Sequence, residues 1–327
     1  MKNKTVIITG ANSGIGKEAA LRFAKENYRV IMACRNLDIS RKVREQIIEV
    51  SNNDEVELME LDVSTFGSIR KFCSDFQNRY DQLDILIHNA GYFNHGEPYR
   101  ESADGIELTF ATNVIGPFLM THLLLGNLRR SKDPRILFAG SNIIKHFFDP
   151  KRKIDFLDGQ YEEIIKSFTV YKMYAQSKMA LTLLTFKMAE RFEQFGIKVN
   201  AIQINGATMS KETIKKFKPK YKLIAWVQNI FIPPASYMAD KYFKICTEEQ
   251  FNHTTGKLFN DKTEIMLPSP NEYPGFIKQM KQIFGTSVYP AYTENSNVSD
   301  KLWALCAELT GNPMITYEKH NLDPKIE

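Results

Sequence analysis

Cysteine is scarce and scattered. Cys34, Cys73, Cys246 and Cys306 are the four in 327 residues, and no two form a CxxC pair. That spacing excludes a disulfide frame and a thiolate zinc site, and it reads as isolated thiols in a reducing compartment. The six histidines show no ligand spacing either, so no metal is expected. No apolar run reaches the ~18 residues of a bilayer span. No leader pattern precedes the first strand, so the expectation is a cytoplasmic protein. Internal repeats and low-complexity linkers are lacking, and residues 1–327 read as one domain. The formal charge of +5 is small. Its one local basic cluster, Lys211 to Lys222, lacks any base-reading motif, so no nucleic-acid partner is expected.

What the chain does have is alternation. Residues 4–10, 28–35, 55–63, 83–91, 134–141 and 197–205 are short apolar runs rich in Val, Ile and Leu. Between most of them lie helical stretches at 14–26, 36–51, 66–80, 103–130 and 171–195. Apolar strands separated by helices predict an α/β fold, a doubly wound parallel sheet flanked by helices, with ligands outside the carboxyl ends of the strands. Two regions depart from the pattern. A polar loop, His146 to Phe168, precedes the helix that carries Tyr174. A segment at about 209–255 reads as a C-terminal substrate-cap insertion, followed by a helical tail at about 270–327. Within the cap, 223–232 is apolar enough to touch a membrane surface.

Two stretches carry chemistry. Lys4-Thr-Val-Ile-Ile-Thr-Gly-Ala-Asn-Ser-Gly-Ile-Gly16 is a strand, a glycine turn and a helix start. This order presents backbone N–H groups and a helix N-terminus to a pyrophosphate. Tyr174-Ala-Gln-Ser-Lys178 puts a phenol and an ammonium four residues apart, on one face of a helix. One feature binds a dinucleotide and the other can move a proton.

These stretches sit in order with Cys34-Arg35, Leu61-Asp62-Val63, Asn89-Ala90-Gly91, Thr112-Asn113-Val114-Ile-Gly116, Arg135-Ile-Leu-Phe-Ala-Gly-Ser141, Gly256-Lys-Leu-Phe259 and Leu302-Trp303. Over nearly its whole length the chain resembles the short-chain dehydrogenase/reductase superfamily and, within it, the retinol-dehydrogenase-like branch. The resemblance implies a Rossmann-type fold and a tetrad of Asn113, Ser141, Tyr174 and Lys178. Tyr174 would be the acid/base and Ser141 would hold the substrate oxygen. Lys178 would depress the Tyr174 pKa, and Asn113 would anchor a water that relays protons to Lys178. Gly10, Asn12, Ser13, Gly14, Ile15 and Gly16 would line the phosphate and ribose loop. Asp62 and Val63 would meet the adenine, and Asn89, Ala90 and Gly91 the adenosine side. Gly206 and Ser210 would meet the nicotinamide, although Asn205 replaces the family's usual proline before Gly206.

The second strand ends in Cys34-Arg35, where NAD enzymes place a carboxylate for the ribose 2′-OH. With a guanidinium there and no acid, NADP(H) is favoured and NAD(H) is the alternative. Ile143, Phe147, Phe148, Phe168 and Trp226 are candidate pocket residues, suited to a lipophilic aldehyde or ketone or the matching alcohol. A homodimer is in keeping with the resemblance. The rival reading is a non-catalytic dinucleotide-binding regulator or scaffold.

Overall fold

The computed structural model describes residues 4–94, 97–158, 165–205, 233–270 and 285–311. Thr5–Thr9 (β1) is β-branched throughout and buried along its length. Val6 and Ile8 face one layer and Ile7 the other, as the pleat requires. In chain order follow Gly14–Ala24 (α1), Arg29–Cys34 (β2), Leu37–Ser51 (α2), Val56–Glu60 (β3), Phe66–Gln77 (α3) and Ile85–His88 (β4). Leu108–Phe110 (α4), Gly116–Leu123 (α5), Leu125–Arg129 (α6) and Arg135–Ser141 (β5) come next. Val170–Phe192 (α7), Lys198–Ile204 (β6), Ala235–Thr247 (α8) and Lys257–Phe259 (β7) complete the main body. Leu267–Pro268 (β8) pairs with Val288–Tyr289 (β9), and Ser296–Leu309 (α9) packs on α7.

The main sheet is parallel, in the order β3-β2-β1-β4-β5-β6-β7. Residues of α1, α2 and α8 bury one face; those of α3, α5 and α7 bury the other. The winding reverses between β1 and β4, and such a switch point opens a crevice at the carboxyl ends of the strands. The six expected strands are all present, each trimmed at its ends. A seventh, β7, has only three residues, too few for a pattern to announce it. From the expected cap, Ala235–Thr247 is a layer helix packed on α1, with Met238, Ala239 and Tyr242 buried in that layer. The rest of the cap to residue 232, including Gly206, Ser210, Trp226, the 211–222 basic cluster and the 223–232 stretch, lies outside the described residues.

The helix expected over 103–130 is broken into α4, a π-helical turn at Ala111–Ile115, α5 and α6. Two causes, one local and one tertiary, account for the irregular turn. Pro117 supplies no N–H to the turn before it. Gly116 lies against the Val63 carbonyl, where an added Cβ would sit 2.0 Å from the oxygen. The wide turn carries Asn113, and π-turns of this kind recur at functional sites.

The crevice is held by polar bonds between the ends of β1 and β4. The Thr9 hydroxyl accepts from the backbone N–H groups of Asn89 (3.0 Å) and Ala90 (2.9 Å). Asn89 Nδ2 returns a bond to the Thr9 carbonyl at 2.9 Å. Tyr242 of α8, fully buried, donates to Asn89 Oδ1 at 3.3 Å.

Three substitutions test this frame. Gly116→Ala must displace the Val63 backbone and is expected to cost about 2–3 kcal/mol in urea unfolding. Gly126→Ala meets nothing within 4 Å and is expected to be neutral or to gain up to ~1 kcal/mol. Thr9→Val keeps the shape but leaves two backbone donors without their acceptor. It is expected to lose about 2 kcal/mol, and a loss below ~0.5 kcal/mol would contradict the role given to Thr9.

Candidate active site

The glycine turn runs from β1 into α1. Gly10 and Gly14 have φ of +67° and +54°, a region that disfavours side chains. Gly16 has a separate constraint. An added Cβ there would lie 2.4 Å from the Gly10 carbonyl oxygen and 2.5 Å from Asn89 Nδ2. Ser13 precedes α1 without capping it through its side chain, and no acidic residue occupies the first turn. A Cβ on Gly14 would meet nothing within 4 Å. Among the described residues, then, no side-chain cap or acidic group answers the donors of this helix N-terminus, which fits a pyrophosphate.

At the end of β2, Cys34 is buried and its thiol bonds Ser40, while burial pushes its pKa up. Arg35 is 75% exposed and lies 3.8 Å from the Asp62 carboxylate. An exposed pair at that distance contributes at most ~1 kcal/mol, so the guanidinium is available to a stronger partner. Asp62 also accepts from the Ser64 backbone N–H (2.9 Å) and hydroxyl (2.6 Å). Asn36 caps α2 through Ile39 N, and Asp38 stands in the first helical turn, paired with Arg41. Val63 is nearly buried below the rim. Asn89 spends its amide on Thr9, Gly10 and Tyr242, so its work is to join strands. His88 is buried as well. It stacks on Phe138 and bonds the Thr121 hydroxyl, and burial lowers its pKa to about 3.

Asn113, Ser141, Tyr174 and Lys178 come from three elements: the π-turn, β5 and α7. The thread that gathers them is Gly91, where a Cβ would lie 3.4 Å from Lys178 Nζ and 3.5 Å from Asn113 Oδ1. Lys178 is buried and donates to the Ala139 carbonyl at 2.8 Å, two residues before Ser141. Burial lowers its pKa to about 8. Lys178 Nζ stands 5.8 Å from the centre of the Tyr174 ring. Tyr174 is half-buried, with the Ser141 hydroxyl near its phenol. Burial raises the phenol pKa, and the nearby Ser141 hydroxyl pulls it back in part. The ammonium is directed to the Ala139 carbonyl, and loss of water around the phenol is the larger effect on its pKa.

The Asn113 side chain is fully engaged within the protein. Its Oδ1 accepts from Tyr92 N at 2.7 Å, and its Nδ2 donates to the Tyr92 carbonyl and the Ser177 hydroxyl, each at 3.0 Å. The side chain clamps the loop after β4 onto α7. Asn205, in place of the family's proline, is held from two sides. Gln203 Nε2 donates to its side chain at 2.9 Å and Asn142 Nδ2 to its carbonyl at 3.3 Å.

Of the candidate pocket residues, Phe147 and Phe148 are buried, and Phe147 packs on Tyr292 in the core. Ile143 leans on the same core, and Phe168 meets the Tyr99 ring edge-on at 5.7 Å. Among the described residues, an aromatic that does lie beside Tyr174 is Phe93, edge-on at 5.0 Å. Sequence reading passed over it, because its only signal is a position two residues beyond Gly91.

A family model described as short chain dehydrogenase matches residues 4–148. Human retinol dehydrogenase 14 is 31% identical over 286 residues, covering 82% of this chain and 81% of the relative. Human retinol dehydrogenase 13 is 29% identical over 323 residues, covering 94% and 85%. Among solved structures, a short chain dehydrogenase from Salmonella enterica superposes with a TM-score of 0.62 at 22% identity, covering 80% of this chain and 96% of that one. One from Shigella flexneri complexed with NADP also gives 0.62, at 21% identity, covering 80% and 98%. The parallel sheet with its switch point, the glycine turn and these relatives agree: the chain belongs to the short-chain dehydrogenase/reductase family, as a retinol-dehydrogenase-like oxidoreductase.

Proposed function

We propose that the protein is an NADP(H)-dependent enzyme that interconverts a lipophilic aldehyde or ketone and its alcohol, with Tyr174 as the acid/base. The observation that carries this reading is the Tyr174 phenol near the Ser141 hydroxyl, its ring centre 5.8 Å from Nζ of buried Lys178, at the crevice that opens next to the glycine turn. Gly10 to Gly16 and the start of α1 would hold the pyrophosphate, with Asp62 and Val63 at the adenine. Arg35 would take a 2′-phosphate, and Gly91 and Lys178 would face the nicotinamide ribose. When bound, the dinucleotide supplies or accepts hydride.

In the reducing direction a carbonyl oxygen gathers negative charge and needs a proton and a donor. Ser141 donates to that oxygen, and Tyr174 gives it the phenol proton. A phenol whose pKa is raised by burial stays protonated at neutral pH, which suits it as an acid. Lys178, nearby and mostly charged at neutral pH, stabilises the phenolate that remains. Asn113 holds the loop after β4 and Ser177 in place. The aromatic surroundings of Tyr174, with Phe93 and Tyr171 beside it, favour an apolar substrate. Relatives named for retinol support the same class. The segment 209–232 is proposed as the cap over that substrate. The alternative is a non-catalytic dinucleotide-binding protein, favoured by the lost proline; the two bonds that hold Asn205 support the catalytic reading.

Tyr174→Phe is the decisive variant. Reduction of an apolar aldehyde panel is expected to fall by ~10²-fold or more, with the NADPH Kd from fluorescence titration unchanged. Equal turnover in the variant would overturn the reading. Arg35→Ala is expected to weaken NADPH about tenfold or more and leave NADH unaffected. Equal weakening of both would remove the 2′-phosphate role.

A further inference from the structure

Phe93 lies at the end of a chain of contacts that starts at the π-turn. Asn113 pins Tyr92 by both its backbone N–H and its carbonyl, at 2.7 and 3.0 Å, which fixes where the next residue stands. The Phe93 ring then meets two tyrosines of α7. It is edge-on to Tyr174, with centroids 5.0 Å apart and planes at 84°, and it meets Tyr171 at 5.7 Å and 68°. Tyr171 and Tyr174 are three residues apart and share a helical face, so one ring can touch both. Tyr171 is 59% exposed, so it stands between Phe93 and solvent.

A phenol oxygen is the atom of tyrosine farthest from the backbone, so a small swing about χ1 displaces it most. On one side the Ser141 hydroxyl stands near the phenol and limits that swing. Phe93 supplies a second restraint through ring packing, which prefers the edge-on geometry seen here. We propose that Phe93 is a positioning residue for Tyr174, keeping the phenol near Ser141 and shielding its ring from water. The inference rests on the reading of Tyr174 as the acid/base.

Among the described residues, the groups that face the Tyr174 phenol include Ser141 from β5, Lys178 from α7, and Tyr242 from α8, whose own pKa is pushed up by burial and further by Cys246 and Tyr174. Phe93 carries no charge. Its removal therefore acts on Tyr174 through hydration, and admitting water lowers the pKa of a phenol that burial has raised.

The test uses the full chain labelled with ¹³Cζ-tyrosine, titrated by NMR, with the Tyr174 resonance assigned by its loss in Tyr174→Phe. Phe93→Ala is expected to lower the Tyr174 midpoint by roughly half a pH unit or more. It is also expected to cut kcat for aldehyde reduction about tenfold with KM for NADPH unchanged. Phe93→Leu, which refills most of the volume, is expected to recover over half of both effects. Tyr171→Ala removes the exposed buttress and is expected to shift the midpoint in the same direction by a smaller amount. An unchanged Tyr174 titration in Phe93→Ala overturns the inference; if that variant does not fold, an unchanged titration in Tyr171→Ala does so. A Phe93-dependent shift in a protein that reduces no carbonyl would uphold the positioning role and defeat the reductase reading instead.

Discussion

The bonds between Thr9 and Asn89 are the constraint on which the rest depends. A parallel sheet that reverses its winding leaves two adjacent strand ends with helices leaving in opposite directions, and nothing in the ladder itself joins the loops beyond them. Here one hydroxyl and one amide close that gap, accepting and returning bonds across it. Their consequences spread outward. Asn89 lies so close to α1 that residue 16 must be glycine, and this brings the helix N-terminus up to the crevice. Gly91, two residues on, admits Lys178 and Asn113 to the same place. Asn113 then ties the following loop to α7, the helix that carries Tyr174. Tyr242 joins α8 to the same amide, so that helix bears on the glycine-turn side of the cleft.

Much of this could be read from the residues, and the exceptions have a common cause. β1 to β6 are runs of β-branched and apolar side chains long enough to declare themselves, and the glycine turn and the Tyr174–Lys178 spacing follow from local geometry. β7 is three residues long and owes its place to pairing with β6. The break in the 103–130 helix depends on Gly116 meeting Val63, a contact between residues 53 apart in the chain. Phe147 as a core residue, Asn113 as a clamp and Phe93 beside Tyr174 likewise arise from tertiary neighbours. The direction of the Tyr174 shift belongs with them. Four-residue spacing places an ammonium near a phenol, but it does not tell that the ammonium is directed to the Ala139 carbonyl or that the phenol loses its water.

The electrostatics of the pair fit proton donation to a carbonyl. Burial acts on both groups in favour of their neutral forms, raising the phenol and lowering the ammonium to about 8. The pair is therefore poised with the proton on tyrosine, and an oxygen that becomes negative next to it is what draws the proton off. As pH rises through about 8, Lys178 loses its charge and with it the stabilisation of the phenolate. The proposed reduction therefore favours the neutral and mildly acidic side.

The measurement that bears most directly on this account follows the transferred atom. NADPH deuterated at the transferable position of its nicotinamide ring is mixed with the protein and a lipophilic aldehyde, and the product is examined by NMR. The account predicts one deuterium on the carbinol carbon of the alcohol formed. NADPH that binds and is never oxidised across a broad panel of apolar carbonyls, or an alcohol that carries no label, would contradict it.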